Sequence, residues 1–369
     1  MRIKYCFIFL FLFSFCKLFA QEDPLFTFFP WMHSLYNPSM MGEKTDHLNF
    51  TGILRQQSMG MHSDKELDNK DDPNGNNGSN PNPNPNGKIK YPSQGGQQIL
   101  LNIDSYIKKI KGAVGVSFLK DQNATAIGFD NIGFKLGYAS HFRVRRGKLG
   151  VGVQCSFLNM TPVSKEEYIY NDQGDQTIPS SGSGTSSNGS GTSFMDFDMS
   201  FGLQYRTPTW YVGVSGTQLL GGVRISGEKG TATPTRVLYV TGGYIWNLKT
   251  PVPWSIEPHL LLRCNISEWQ FGAMALARYN GILWFGLSYQ NMGVAALFGA
   301  VPFYNDTNEY LKGLEIGVSY TFGTTRYSYT GKGGAWGDFE LVVRYGLNFY
   351  KEKALNGYGS SRHLYKNQY

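Results

Sequence analysis

Cysteine is too scarce here for a disulfide framework. The chain of 369 residues has four, and Cys6 and Cys16 lie within its first twenty residues. The other two, Cys155 and Cys264, fall in strands not expected to be neighbours, so both read as free thiols. Long hydrophobic runs are also missing. Nothing internal approaches the roughly 18 apolar residues of a membrane helix. That excludes a helical membrane protein but not a β-barrel, whose apolar residues are diluted by alternation. Histidine is sparse, and His33, His47, His62, His141, His259 and His363 show no metal-ligand spacing. The Gly-Ser-Gly of a low-complexity stretch lacks the strand-turn-helix setting of a nucleophile elbow. Gly331 to Gly334 lacks the phosphate-loop pattern. No catalytic set, cofactor or metal is expected, and the chain reads as non-enzymatic. The formal net charge is +7, but the basic residues are not gathered on one helix and no nucleic-acid motif occurs. Nucleic acid is therefore not an expected partner.

What the sequence does have is alternation. In Phe194 to Arg206, Met195, Phe197, Met199, Phe201, Leu203 and Tyr205 form one face. Asp196, Asp198, Ser200, Gly202, Gln204 and Arg206 form the other. Period two over so many residues is a strand with one apolar and one polar face. It is longer than a usual soluble strand of about five or six residues, and it suits a tilted bilayer crossing of about ten. The pattern recurs near 47–58, 97–106, 113–119, 127–142, 149–157, 210–218, 237–246, 254–264, 269–279, 282–289, 294–300, 314–322 and 340–350. Glycine, at 45 residues, and aromatics, at 15%, suit a barrel wall and its interfacial girdles. The expected fold is all-β: a single transmembrane antiparallel β-barrel of about 14 strands with long extracellular loops. Pro258 sits inside one strand, where it cannot donate to a ladder, so a bulge is expected there.

The organisation follows. Arg2 and Lys4, then the apolar stretch from Cys6 to Phe15, then Ala20 before Gln21, read as a secretory signal over 1–20. Residues 21–46 are aromatic-rich and broken by Pro24, Pro30 and Pro38. Phe26, Phe28, Phe29, Trp31 and Met32 mark this segment as a lumen plug, a periplasmic contact or a flap beside the strands. The barrel spans 47–350, with low-complexity loops at 63–95 and 171–193, and a basic tail covers 351–369. Outer-membrane lipid of a Gram-negative cell is the expected surroundings.

Strand parity sorts the charge. With both barrel ends in the periplasm, the long loops follow odd-numbered strands and face outward. Lys108, Lys109 and Lys111 then lie in one periplasmic turn, and Arg143, Arg145, Arg146 and Lys148 in another. These turns are either a solvated rim or a docking surface for an acidic periplasmic partner. Glu257, His259 and Arg263 share one face of a strand, with Arg278 and Glu315 in later strands. They read as an interior salt-bridge lattice, which Arg55 is a candidate to join, rather than a hydrolytic site.

Several stretches resemble the PorP/SprF family, outer-membrane proteins tied to the type IX secretion system of Bacteroidota. Asp23-Pro24-Leu25 followed by Tyr36-Asn37-Pro38-Ser39-Met40-Met41-Gly42 is similar to the family's opening segment. Leu54-Arg55-Gln56-Gln57 is similar to its Arg-x-Gln signature. Gly115 to Asp121, Phe134 to Ala139, Val212 to Ser215 and Gly331 to Tyr345 carry the rest. The resemblance implies a role in type IX secretion and gliding. The partner would be a periplasmic ring lipoprotein, a peptidoglycan-binding protein or a large secreted adhesin. Candidate partner contacts are Asn37, Pro38, Gly42, Arg55 and Gln57, together with Lys108, Lys109, Arg143, Arg145 and Arg146. A passive channel or uptake barrel is the alternative.

Overall fold

A computed structural model describes residues 24–42, 47–59, 96–122, 127–164, 193–227, 234–265, 268–290, 293–304, 313–323 and 337–348. The segment read as a signal over 1–20, both low-complexity stretches and residues 349–369 lie outside the described residues. Fourteen antiparallel strands form the wall. They are β1 (His47–Met59), β2 (Gln97–Ile107), β3 (Gly112–Gln122), β4 (Ile127–Val144), β5 (Gly147–Ser164), β6 (Phe194–Arg206) and β7 (Trp210–Thr217). The rest are β8 (Val237–Tyr244), β9 (Trp254–Asn265), β10 (Trp269–Tyr279), β11 (Leu283–Gln290), β12 (Gly293–Ala300), β13 (Leu314–Gly323) and β14 (Gly337–Asn348). Each pairs with its neighbours in sequence, and β14 pairs back onto β1 from Asn348↔His47 to Gly337↔Met59. The sheet therefore closes on itself and keeps no free edge. In hydrocarbon this matters, because unpaired backbone N–H and C=O groups there cost several kcal/mol each.

The alternation sets which face meets lipid. On β4 the outward side chains are Ile132, Phe134, Leu136 and Tyr138, and on β6 they are Met199, Phe201 and Leu203; all are exposed on the isolated barrel. Between them Lys135, Asp198, Ser200 and Gln204 point inward and are buried. An apolar outside around a partly polar inside suits a lipid-facing wall. Aromatic pairs stand where the outer wall meets the connections after even-numbered strands. Tyr205 and Trp210 lie 5.4 Å apart, and Trp254 and Tyr279 4.9 Å apart. Such rings favour the membrane–water boundary. We call this end of the barrel the turn end and the opposite end the loop end.

Several details depart from expectation. Strands β4 and β5 run to the tip of their hairpin, so Arg143 and Lys148 are a ladder pair and only Arg145 and Arg146 form the turn. Pro258 causes no bulge: it pairs in register with Ala275 of β10. On the other side the β8 ladder stops at Gly243↔His259 and resumes, in the same register, at a short strand, Trp246–Leu248, opposite Ile256. The interruption falls opposite Pro258, where no N–H is needed. The Asn280-Gly281 turn has three residues rather than two, with both of those residues at positive φ (51° and 68°) and Ile282 N–H donating to the Tyr279 carbonyl. After β7 the chain folds back as a short strand, Val223–Ser226, against the start of β6. The Asp198 carboxylate accepts from the N–H groups of Leu220 (2.9 Å) and Gly222 (2.8 Å), and Asp196 binds Arg224. Cys155 and Cys264, on β5 and β9, are both free thiols.

The faces predict a depth-dependent response. Phe201→Arg, midway along β6, should cost about 2–4 kcal/mol, whereas Val144→Arg at the turn-end rim should cost about 0–1 kcal/mol. Urea unfolding of the two variants in lipid vesicles measures this; equal losses at both positions would show that the outward face does not meet lipid.

Candidate functional site: a segment inside the barrel

Residues Pro24–Gly42 lie within the ring. Prolines keep the segment from becoming one helix. It is built from two 3-10 turns, Phe29–Trp31 and Pro38–Met40, around a single helical turn, His33–Tyr36. Asn37 shapes the second bend. Its Oδ1 accepts from the Ser39 N–H (3.0 Å) and the Ser39 hydroxyl (2.7 Å), and its Nδ2 donates to the Leu203 carbonyl of β6 (3.1 Å).

One side of the segment is apolar. Phe26, Phe28, Phe29, Met32 and Leu35 are fully buried against inward-facing Leu261, Leu276, Trp284, Leu297 and Val342. Phe28 stacks on Trp31 at 4.9 Å, and Trp31 meets Trp284 edge-on at 4.8 Å. These wall residues give the lumen an apolar patch. Over β9 to β12 that patch lies among polar inward side chains such as Glu257, His259 and Arg278, and it is apolar because it packs on chain rather than on water.

The other contacts are polar and reach around the wall. Glu340 of β14 has no solvent exposure, and its carboxylate accepts from the Thr27 N–H (2.9 Å) and the Thr27 hydroxyl (3.0 Å). Arg55 stands opposite Glu340 in the β1–β14 ladder. Its guanidinium lies 3.4 Å from Glu340 and 2.6 Å from Asp338, and it donates to the Leu25 carbonyl at 2.8 Å. Buried charges are tolerable when paired and hydrogen-bonded in this way. Gln290 donates to the Phe26 carbonyl (2.9 Å), Ser215 to the Tyr36 carbonyl (2.6 Å), and Ser34 to Asn102 (2.7 Å). At the far end the Gly42 N–H donates to Asp104 (2.7 Å). The segment thus runs from the loop-end half of the lumen, beside Arg55 and Asp338, to the turn end. Glycines make room for it: a Cβ on Gly152 would meet the Pro38–Ser39 backbone, and one on its ladder partner Gly202 would meet Asn37.

The candidate contacts do not gather into one place. Asn37, Pro38 and Gly42 are buried inside the ring, and Arg55 is engaged with Asp338 and Glu340. Gln57 stands near the loop end, its N–H donating to the Gly96 carbonyl (2.8 Å). Lys108, Lys109, Arg143, Arg145 and Arg146 are exposed at the turn end. The interior lattice joins Glu257, Arg278 and Glu315, and adds Arg344: Arg278 reaches Glu257 (2.9 Å) and Glu315 (2.8 Å), and Arg344 reaches Glu315 (2.9 Å). Arg55 belongs instead to the Asp338–Glu340 cluster, and His259 bonds the Tyr211 hydroxyl at 3.1 Å. Among the described residues no group of three or more His, Cys, Asp or Glu side chains is placed to hold a metal ion.

Trp284 and the apolar inner wall escaped the sequence argument. The signal was present as strands apolar on consecutive positions, such as Leu260-Leu261-Leu262 and Ala295-Ala296-Leu297-Phe298. A lipid-facing strand with a wet lumen alternates; one that also packs inward does not.

A closed antiparallel ring with an apolar exterior, filled by part of its own chain, defines a membrane β-barrel. The chain belongs to the PorP/SprF family, described as "Type IX secretion system membrane protein PorP/SprF", which matches residues 18–345. It is a component of the type IX secretion system. Among solved structures it is similar to the TodX deltaS2S3 mutant monoaromatic hydrocarbon channel, at 11% identity over 86% of this chain and 94% of that one, with a TM-score of 0.48. It is similar also to the toluene transporter TodX of P. putida (10%, 86% and 94%, TM-score 0.43). A Pseudomonas aeruginosa FadL homologue is comparable (10%, 86% and 94%, TM-score 0.42). No curated protein sequence matches the chain.

The packing makes two substitutions informative. Gly152→Val should lower the temperature at which the barrel loses its compact mobility on SDS gels. Gly242→Ala, whose Cβ has ordinary space, should leave it nearly unchanged. Trp284→Ala should destabilise by about 3–5 kcal/mol, because the cavity it leaves is not refilled. Equal behaviour of Gly152→Val and wild type would show that the segment is not seated against β5.

Proposed function

We propose that this barrel works by binding rather than by conducting, as an outer-membrane anchor of type IX secretion and gliding. The turn end faces the periplasm, as the lengths of the connections suggest. There it holds a periplasmic ring lipoprotein, a peptidoglycan-binding protein or a secreted surface adhesin against the outer membrane. The observation that carries this reading is the seating of Pro24–Gly42 in the lumen. Its aromatic side chains pack on Trp284 and Leu261, and its backbone is held by Glu340, Gln290 and Ser215. A lumen built with an apolar wall for its own chain has little use as an aqueous path.

What remains for function is the surface, and at the turn end that surface is basic. Lys108 and Lys109 sit in the β2–β3 turn, Arg145 and Arg146 at the β4–β5 tip, and all four are exposed. Exposed charge of one sign steers an oppositely charged partner more than it adds raw affinity. The signal over 1–20 delivers the chain to that compartment in this reading.

Crosslinked pull-down of the tagged protein from native outer membranes, with mass spectrometry of the recovered proteins, tests the reading. A ring lipoprotein, a peptidoglycan-binding protein or one large adhesin is the expected companion. Arg143→Glu, Arg145→Glu and Arg146→Glu together should cut its recovery several-fold while the barrel stays folded. In a planar bilayer the intact chain should show no steady conductance. Recovery of the barrel alone, together with steady ion current, would overturn anchoring in favour of a passive channel.

A further inference from the structure

The mouth of the lumen at the turn end holds a cavity of about 290 Å³ between the ends of β4, β5 and β6. Its walls include His141, Arg143, Arg145, Arg146, Lys148 and Arg206, and none of the described residues lining it is acidic. Three of these cations form a row. Arg143 is the ladder partner of Lys148, and Lys148 is the ladder partner of Arg206. All three sit on the inward alternation of their strands, the same face as buried Gln154 and Gln204. Like charges directly opposite one another across a ladder are destabilising. Here two such pairs run consecutively, and the hairpin tip adds Arg145 and Arg146. Arg145 itself sits at φ 53°, in the left-handed region that a long side chain seldom adopts.

The setting decides which anion suits this row. The lipid-facing side chains of the same strands, Phe142, Val144 and Tyr205, point the other way. The cavity therefore opens to the water of the mouth rather than to lipid headgroups. Its inner limit is the lumen segment: His141 Nε2 lies 3.2 Å from the Ser39 carbonyl, and Gly150 sits beneath the same carbonyl. An occupant must enter from the turn end and stop there. We infer that the pocket receives an acidic polypeptide segment, with carboxylates side by side across the Arg143–Lys148–Arg206 row, from the partner that the barrel anchors. This rests on the anchoring reading and deepens it. The contact is a segment inserted in the mouth, not a flat surface laid on the exposed turns. Guanidinium groups suit it because they bind carboxylates through paired N–H donors.

Fluorescence anisotropy on the purified full-length barrel, with labelled hexaglutamate as the probe and hexaglutamine as the control, tests the inference. Hexaglutamate alone should bind, and added salt should weaken it. Lys148→Glu with Arg206→Glu should weaken it by about tenfold or more, while Lys249→Glu, at an exposed cation in the connection between β8 and β9, should leave it within about twofold. Should the first pair fail to fold, the neutral pair Arg143→Gln with Lys148→Gln should still weaken binding measurably. Equal binding to every folded variant, or no binding by wild type, would overturn the pocket. Displacement by inorganic phosphate or by phosphatidylglycerol vesicles at matched charge would reassign it to phosphate and overturn the peptide assignment. The two readings fail differently. Loss of peptide binding with full partner recovery in the membrane pull-down overturns the pocket contact and leaves anchoring standing. Peptide binding by wild type with no partner recovered overturns anchoring as the source of the acidic segment.

Discussion

The ladder between β14 and β1 is the contact on which the rest of the structure depends. Without it the sheet would present two edges of unpaired backbone groups to hydrocarbon, where no water can satisfy them. With it every wall strand has a partner on each side, and the chain needs no membrane helix. The same ladder carries the main polar lock of the interior, since it sets Arg55 opposite Glu340 where both meet the lumen segment. Closure of the wall and retention of the segment are therefore coupled through one pair of strands.

The interior is a second core with its own rules. A wide barrel with a wet lumen would keep polar side chains on every inward position. Here Leu261, Leu276, Trp284 and Leu297 face inward and are buried by Phe26, Phe28, Phe29 and Leu35. On the opposite side, across β4 to β6, glycines let the segment's backbone lie against the wall. Large side chains on one arc and absent ones on the other shape the lumen to a single occupant. The ion pairs of Arg278 and Arg344 with Glu315 stiffen the wall below it.

Much of this was legible in the residue order. Alternation in β6 assigns its outward face residue by residue, and the same reasoning places the wall strands within a few positions, apart from the end of β5, expected at Phe157 and found at Ser164, because a strand's period does not depend on its partners. Expectations failed where the partner mattered. The bulge expected at Pro258 is absent because the neighbouring ladder lapses there, a fact about β8 rather than about proline. The break expected around Arg143 to Lys148 is two residues of turn, because ladder pairing carries both strands to the tip.

Residue order alone thus set the strand count, the lipid-facing side and the basic character of the turns, since each depends on local period and composition. Only the tertiary structure could place Pro24–Gly42 in the lumen, bury Asn37 and Pro38 inside the ring, and separate Arg55 from the Glu257–Arg278–Glu315 lattice. It alone could align Arg143, Lys148 and Arg206 in one row. The physical reason is range: alternation is written over a few neighbouring residues, whereas these groupings join positions far apart in the chain through ring closure and register.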